Sequence, residues 1–309
     1  MRIGLALPHY DFSFPDGAPT SIERVVDYAR RCEALGFDSV WVSDHLFLDL
    51  ARYGGPARRH GTPEAMATLS AIAAATERVR IGSLVLCAAF RNPAVLAEQA
   101  RSIHEASGGR LELGIGAGWN EAEFTEAGIP FGSAGSRIRH LADVAEVLRA
   151  RLAGGGPPVW IGGKGGPKIM KVVAEHAHGW NVVWQMTPDD YGRRLQTLAD
   201  ACATVGRDPA TVGLSVGLST VIGDDERDLA RRYARLQRWA PGGALDEIRL
   251  EEWARGRLVG TIDGAAARIQ EYEALGVSEI VLGPANVPFS VYDDDQLELI
   301  ARELIPRAH

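Results

Sequence analysis

CEALGFDSVWV, residues 32–42, packs the end of a helix, a capping glycine and a buried strand into one short stretch. Residues 272–282, YEALGVSEIVL, repeat it near the other end of the chain. In each copy a glycine, Gly36 or Gly276, follows the last helical residue, where a left-handed cap favours a residue without a Cβ. Each copy then runs into a strand that is apolar along its length, the pattern of a strand buried on both faces. Like units near both ends of a chain suit a ring of βα repeats.

The same rhythm fills the space between them. Strand-length runs fall at Arg2–Leu7, Asp38–Val42, Val79–Leu86, Leu111–Ile115, Pro158–Ile161, Trp180–Val183, Val212–Ile222 and Glu279–Leu282. Segments of helical period follow them, among them Thr20–Leu35, Pro63–Thr76 with Thr62 and Pro63 as cap and first turn, Pro93–Ala106, Arg137–Leu152 and Pro167–His176. The later ones are Pro188–Val205, Asp225–Trp239, Ala265–Leu275 and Asp294–Leu304. Strict alternation implies a parallel sheet. The expected fold is α/β, a (β/α)8 TIM barrel forming one domain over residues 1–309. A doubly wound open sheet is the rival, and the echo alone does not exclude it. Two segments break the rhythm: 45–61, a candidate lid after the second strand, and 240–260, a candidate insertion in the C-terminal part.

Composition narrows the function. The chain has 309 residues, 33 basic and 40 acidic side chains and a net charge of −7, with 46% hydrophobic residues. That balance argues against a nucleic-acid binder, which needs a concentrated basic face. Cys32, Cys87 and Cys202 form no CxxC pair, so neither a disulfide framework nor a thiolate metal site is expected. His176 and His178 lack a third ligand, and His60, His104, His140 and His309 form no constellation, so no metal is expected. No apolar run spans a membrane, and the apolar start is too short for a signal-peptide core. A cytoplasmic protein is the expectation.

In a barrel the residues just past each strand converge on one mouth. Here they are Pro8-His9, Ser43-Asp44-His45, Cys87, Gly116 to Glu121, Gly162 to Gly166 and Trp184-Gln185. A histidine at such a place can move a proton near neutral pH, and the adjacent Asp44 is a candidate to orient His45. GIGAGWNE, residues 114–121, fails the dinucleotide fingerprint because Trp119 stands at its third glycine position. Its glycines still let backbone approach a flat ligand. IGGKGGPK, residues 161–168, is no P-loop, yet its glycines before a helix leave amides free for an anion, with Lys164 adding charge.

Taken together, GFDSVWVSDH (36–45), IGSLVLCAAFRNPAVLAEQ (81–99), SGGRLELGIGAGWNEAEF (107–124) and PPVWIGGKGGPKIMKVVAEHAHGWN (157–181) resemble the bacterial luciferase-like monooxygenase superfamily. The likeness is nearest to its branch using the deazaflavin coenzyme F420. The resemblance implies an oxidoreductase that transfers hydride between F420 and a small organic substrate. Flavin mononucleotide with oxygen chemistry is the alternative. It implies catalytic roles for His45 and Asp44, and a non-proline cis peptide at Leu84–Val85 behind the ring. By the same resemblance Cys87 faces the ring edge, Ala117, Gly118, Trp119 and Asn120 line the ring, and Gly162, Gly163, Lys164, Gly165 and Gly166 hold the phosphate. Trp119 and Asp49 stand where family dehydrogenases of sugar phosphates and alcohols differ, which argues against a sugar phosphate. The resemblance also implies a homodimer, and a separate cofactor reductase if flavin is used.

Overall fold

The structure, a computed structural model, describes residues 1–308; His309 lies outside the described residues. Eight parallel strands form the barrel: Arg2–Ala6, Ser39–Val42, Arg80–Ser83, Leu111–Gly116, Val159–Gly162, Gly179–Val182, Gly213–Gly223 and Glu279–Gly283. Neighbours in the chain are neighbours in the sheet, and the first strand pairs with the eighth, Leu5 opposite Leu282. Closure abolishes the sheet edges and rules out the doubly wound rival. The two echo units stand on either side of the first strand. Their glycines do what the sequence asks: Gly36 has φ 88° and Gly276 has φ 84°.

Helix starts are set by local capping. Ser21 accepts from the Arg24 amide before Ile22–Leu35, and Asn92 accepts from Ala94 and Val95 before Pro93–Ala106. Several starts differ from expectation, Ile262 in place of Ala265 among them. The cap of Ala65–Ala75 is Glu64, accepting from Ala67 N, rather than Thr62. Ser133 starts the helix Ala134–Leu152 earlier than the expected Arg137.

The N-terminal end of the barrel is plugged. Trp41 lies over Gly82 and Trp160 over Gly179, so each indole occupies the place a side chain would take on its neighbour. Trp41 Nε1 donates to Ser39 Oγ at 2.8 Å and Trp160 Nε1 donates to Glu112 Oε2 at 2.6 Å. Ser39 donates in turn to buried Glu279, while Arg2 and Arg80 pair with Glu279 and Glu112. Chemistry is therefore confined to the other end.

That end holds the irregular elements. The expected strand at Val79–Leu86 is split into Arg80–Ser83 and Leu86–Cys87, with a cis peptide at Leu84–Val85 between them. A second non-proline cis peptide, Val183–Trp184, follows the sixth strand. The segment 45–61 is an ordered excursion: Leu48–Asp49 pairs antiparallel with Arg59–His60 around a 3-10 turn, Leu50–Tyr53. The insertion carries a helical turn, Leu250–Trp253, and ends in an additional strand, Leu258–Thr261, paired with the outer part of the seventh strand. This strand is short, and half of it is Gly and Thr, so it left no apolar signature in the sequence. The two irregular segments meet. A Cβ on Gly55 would lie 2.8 Å from Pro241 Cβ, and one on Gly54 would lie 2.6 Å from Ala244 Cβ. Among the described residues no helix is long and apolar enough to cross a membrane.

Candidate active site

The strand-end residues singled out in the sequence do converge at the mouth, but their partners were only partly foreseen. His45 follows the second strand. Its Nδ1 lies 2.9 Å from Oε2 and 3.1 Å from Oε1 of Glu123. A carboxylate only accepts, so Nδ1 carries the proton and Nε2 is left without a protein partner among the described residues. Glu123 is buried, and its Oε1 also accepts from Leu46 N at 2.6 Å. One carboxylate thus fixes both the imidazole and the first turn of the 45–61 excursion. The ring of Trp119 stands edge-on to His45 at 5.6 Å, itself covered by Arg52 at 4.2 Å.

Asp44 does not orient His45. Arg91 Nη1 donates to Asp44 Oδ2 at 2.6 Å and Nη2 to Oδ1 at 2.9 Å, and the Cys87 amide donates to Oδ2 at 2.9 Å. Arg91 reaches Glu64 as well. Asp44 therefore ties the end of the second strand to the loop after the third. The reason lies in chain direction: successive residues leaving a strand point to opposite sides, so neighbours in sequence face different partners. Glu123 sits far along the chain from His45, and nothing in the spacing announced it. Its signal was present only as a carboxylate one turn into the helix that starts after Asn120, Glu121–Glu126.

The segment Leu84, Val85, Cys87 forms a ledge. Val85 nests over three glycines: a Cβ on Gly114 would lie 3.1 Å from its Cγ1, on Gly116 2.6 Å from its Cγ2, and on Gly162 2.7 Å from its Cγ1. Leu84 and Cys87 are buried, and burial pushes the Cys87 thiol up to about 11, so it stays a neutral thiol. Gly118 has φ 75°, and a Cβ there would meet the Phe124 ring at 2.6 Å and Cys87 Sγ at 2.8 Å. Ala117 packs inward and Asn120 caps the short helix with its backbone, not its side chain. Asp49 caps the 3-10 turn, accepting from Ala51 N at 2.9 Å, so it has a structural task in the excursion.

At the fifth strand, Gly163 N donates to Asn181 O at 3.0 Å, and Trp180 Nε1 donates to Gly163 O at 2.9 Å. The amides of Lys164, Gly165 and Gly166 have no acceptor among the described residues. They precede the helix Pro167–His176, whose positive end they share. Gly165, with φ 72°, lies where a Cβ would touch Trp180 at 2.9 Å and Arg194 Cδ at 3.1 Å. Free amides, an exposed Lys164 and an aliphatic ledge beside them fit a flat ring with an anionic tail.

Beneath the mouth lies a buried hydrogen-bond chain that the sequence did not announce. Tyr10 OH donates to Ser43 Oγ at 2.6 Å, Ser43 donates to His9 Nε2 at 2.8 Å, and His9 Nδ1 donates to Leu7 O at 2.9 Å. Burial pushes His9 down to about 3 and raises Tyr10 well above its usual value, so both stay neutral.

The profile of the luciferase-like monooxygenase family matches residues 1–279, and the chain belongs to that family. A 5,10-methylenetetrahydromethanopterin reductase from Methanolobus tindarius is 24% identical over 91% of this chain and 95% of its own length. An F420-dependent glucose-6-phosphate dehydrogenase from Amycolatopsis mediterranei is 40% identical, over 40% of this chain and 36% of its own. Among solved structures, an F420-dependent secondary alcohol dehydrogenase in complex with an F420-acetone adduct superposes with a TM-score of 0.75 at 18% identity, covering 100% of this chain and 99% of that one. The last likeness speaks to the fold.

Proposed function

We propose that the protein is an F420-dependent oxidoreductase acting on a small organic substrate, built as a single domain. The observation that carries it is the combination, past the third and fifth strands, of the Val85 ledge over glycines with the unpaired amides of Lys164 to Gly166. When bound, F420 supplies hydride transfer, as a carrier that reacts poorly with oxygen. Leu84, Val85, Cys87, Ala117, Gly118, Trp119 and Asn120 would hold its ring, and Gly162, Gly163, Lys164, Gly165 and Gly166 its phosphate. His45 Nε2, the ring nitrogen without a proton, accepts the proton that substrate releases and returns it in the reverse direction. Glu123 fixes the tautomer that leaves Nε2 available and stabilises the charged imidazole. Asp44 serves by position, keeping Cys87 and the ledge in place.

Titration of the purified protein with F420 and, separately, with flavin mononucleotide tests the cofactor. Binding of F420 supports the reading; binding of flavin mononucleotide with none of F420 makes this a reduced-flavin monooxygenase served by a separate reductase. His45→Ala is expected to lower turnover about 100-fold or more, within the range of general acid–base effects, with F420 affinity nearly unchanged. Equal losses in both would remove His45 from the chemistry. Glu123→Gln keeps a partner for His45 but removes the charge, so turnover falls less and the pH–rate profile moves to lower pH; an unmoved profile leaves Glu123 a purely structural residue. The reading includes a cytoplasmic homodimer formed by helices after the early strands. Light scattering checks the mass.

A further inference from the structure

The excursion 45–61 and the insertion leave an open cavity of about 550 Å3 between them, lined also by Gln185 just past the sixth strand. Tyr53, on its wall, packs into the same apolar cluster as Val85 and Trp184, so the cavity adjoins the mouth. Another wall is the turn Arg255-Gly256-Arg257, which is fastened to the rim. Gln185 Nε2 donates to Arg255 O at 2.9 Å and Met186 N donates to Gly256 O at 2.7 Å. Gly256 has φ 68°, and a Cβ there would lie 3.1 Å from Gln185 Cγ and 3.2 Å from Met186 N. No other residue fits the turn so closely.

This fastening places Arg255 and Arg257 in the cavity's lining. Arg257 is half-buried; its Nη1 donates to Trp253 O at 2.5 Å, and its guanidinium stands 5.0 Å from the Trp253 ring centre. Neither Arg255 nor Arg257 has a carboxylate within ion-pair distance among the described residues, whereas Arg91 and Arg232 do. A half-buried cation without an anion is costly and favours a ligand that supplies one. Asn286, also lining the cavity, has a buried Oδ1 with no donor. Glu252 is the one acidic side chain in the lining, so Arg255, Arg257 and Glu252 leave it one positive charge in excess.

We infer that this cavity is the substrate's anion site and takes a small organic monocarboxylate. The carboxylate lies against the planar fork of Arg257, and a hydroxyl or N–H elsewhere on the molecule donates to Asn286 Oδ1. The guanidinium geometry matches a carboxylate through two parallel hydrogen bonds. A dianionic phosphate monoester would exceed the single net positive charge of the lining, with Glu252 beside it. The inference names the substrate class for the oxidoreductase site proposed above and rests on that reading.

Calorimetric titration of the whole protein, with and without F420, uses 4-hydroxybenzoate, 4-hydroxybenzamide and phenyl phosphate as probes. Loss of a charge-assisted pair predicts that the amide binds about tenfold more weakly than the benzoate, or worse. Phenyl phosphate also binds more weakly. Arg257→Gln lowers benzoate affinity by a similar factor, leaves the amide and F420 affinities unchanged, and Arg257→Lys falls between. Should Arg257→Gln not fold, the benzoate–amide ratio on the native protein and the lysine variant decide the matter. No binding of the benzoate, equal affinity for benzoate and amide, tighter binding of phenyl phosphate, or indifference to Arg257 overturns the inference. Loss of F420 binding with the Arg257-dependent carboxylate preference intact sinks the cofactor reading and leaves this site standing; the converse result does the reverse.

Discussion

Val85 and Trp184 occupy comparable stations on two sides of the rim, each just past a barrel strand and each seated on glycines of the two strands that follow. Val85 sits on Gly114, Gly116 and Gly162 of the fourth and fifth strands. Trp184, with Val183, sits on Gly217 and Gly283 of the seventh and eighth. What differs is the size of the seated group. Two methyls on the first side leave a low ledge running toward the free amides at Lys164 to Gly166. On the second side the indole stands edge-on to Phe289 at 5.2 Å, and Phe289 leans on His9 at 4.9 Å, so the rim there is filled. Recessed glycines lower the floor; the residue laid on them decides whether that floor becomes a binding surface or a wall.

The comparison can be broken most directly at the glycines. Gly116→Ala puts a Cβ against Val85 Cγ2 and should lift the ledge, weakening F420 binding about 100-fold, the scale of a binding surface misplaced by about an ångström. Adding Val85→Ala should restore much of the affinity. Gly217→Ala, on the walled side, should lower the melting temperature and leave F420 affinity nearly as it was. Fluorescence titration of the three variants checks this, and similar binding losses on both sides would erase the distinction.

Next in size is the tie that holds the ledge. Asp44→Ala leaves the Arg91 guanidinium facing only Glu64, with the Cys87 amide unpaired. Removing one partner of a mostly buried pair costs about 3 kcal/mol, to be read from urea unfolding. A loss below 1 kcal/mol, the scale of an exposed pair, would mean that the pair is solvated. On the other side, Trp184→Ala should cost about 2 kcal/mol, less than a fully buried indole because the ring is half-exposed.

The remaining effect is one of pH, and per pH unit it is the smallest. Burial holds His9 neutral down to about 3, while an unfolded histidine takes up its proton near 6.5. Between those values the unfolded chain binds one more proton than the folded one. Stability is therefore lost as pH falls from 6.5 toward about 3, by up to about 1.4 kcal/mol per unit. His9→Asn should remove one proton from the pH slope of the unfolding free energy. An unchanged slope would show that His9 titrates normally in the folded protein.

How much of this was legible beforehand depends on the range of the interaction. Capping glycines, proline-started helices and apolar strands act over a few residues, so the barrel and its eight strands could be read from sequence. The errors lay at ends such as Thr62 against Glu64, in the split of Val79–Leu86 and in the short strands of the two irregular segments, which carry no apolar run. The convergence of His45, Cys87, Trp119 and the loop at Gly162 follows from the barrel itself, since strand ends share a mouth. The pairings at that mouth did not follow. Asp44 beside His45 in sequence suggested a couple, yet the extended chain turns them to different neighbours, Arg91 for one and Glu123 for the other.

By itself the sequence determined the repeating βα unit, the closed ring it builds and the glycines that deepen the mouth, because periodicity and backbone freedom are properties of short stretches. Only the tertiary structure decided which carboxylate meets His45, which side of the rim is open, and that the 45–61 excursion closes against the insertion around Arg257. Those are contacts between residues tens to hundreds of positions apart, fixed by how strands and loops are laid side by side rather than by any local preference.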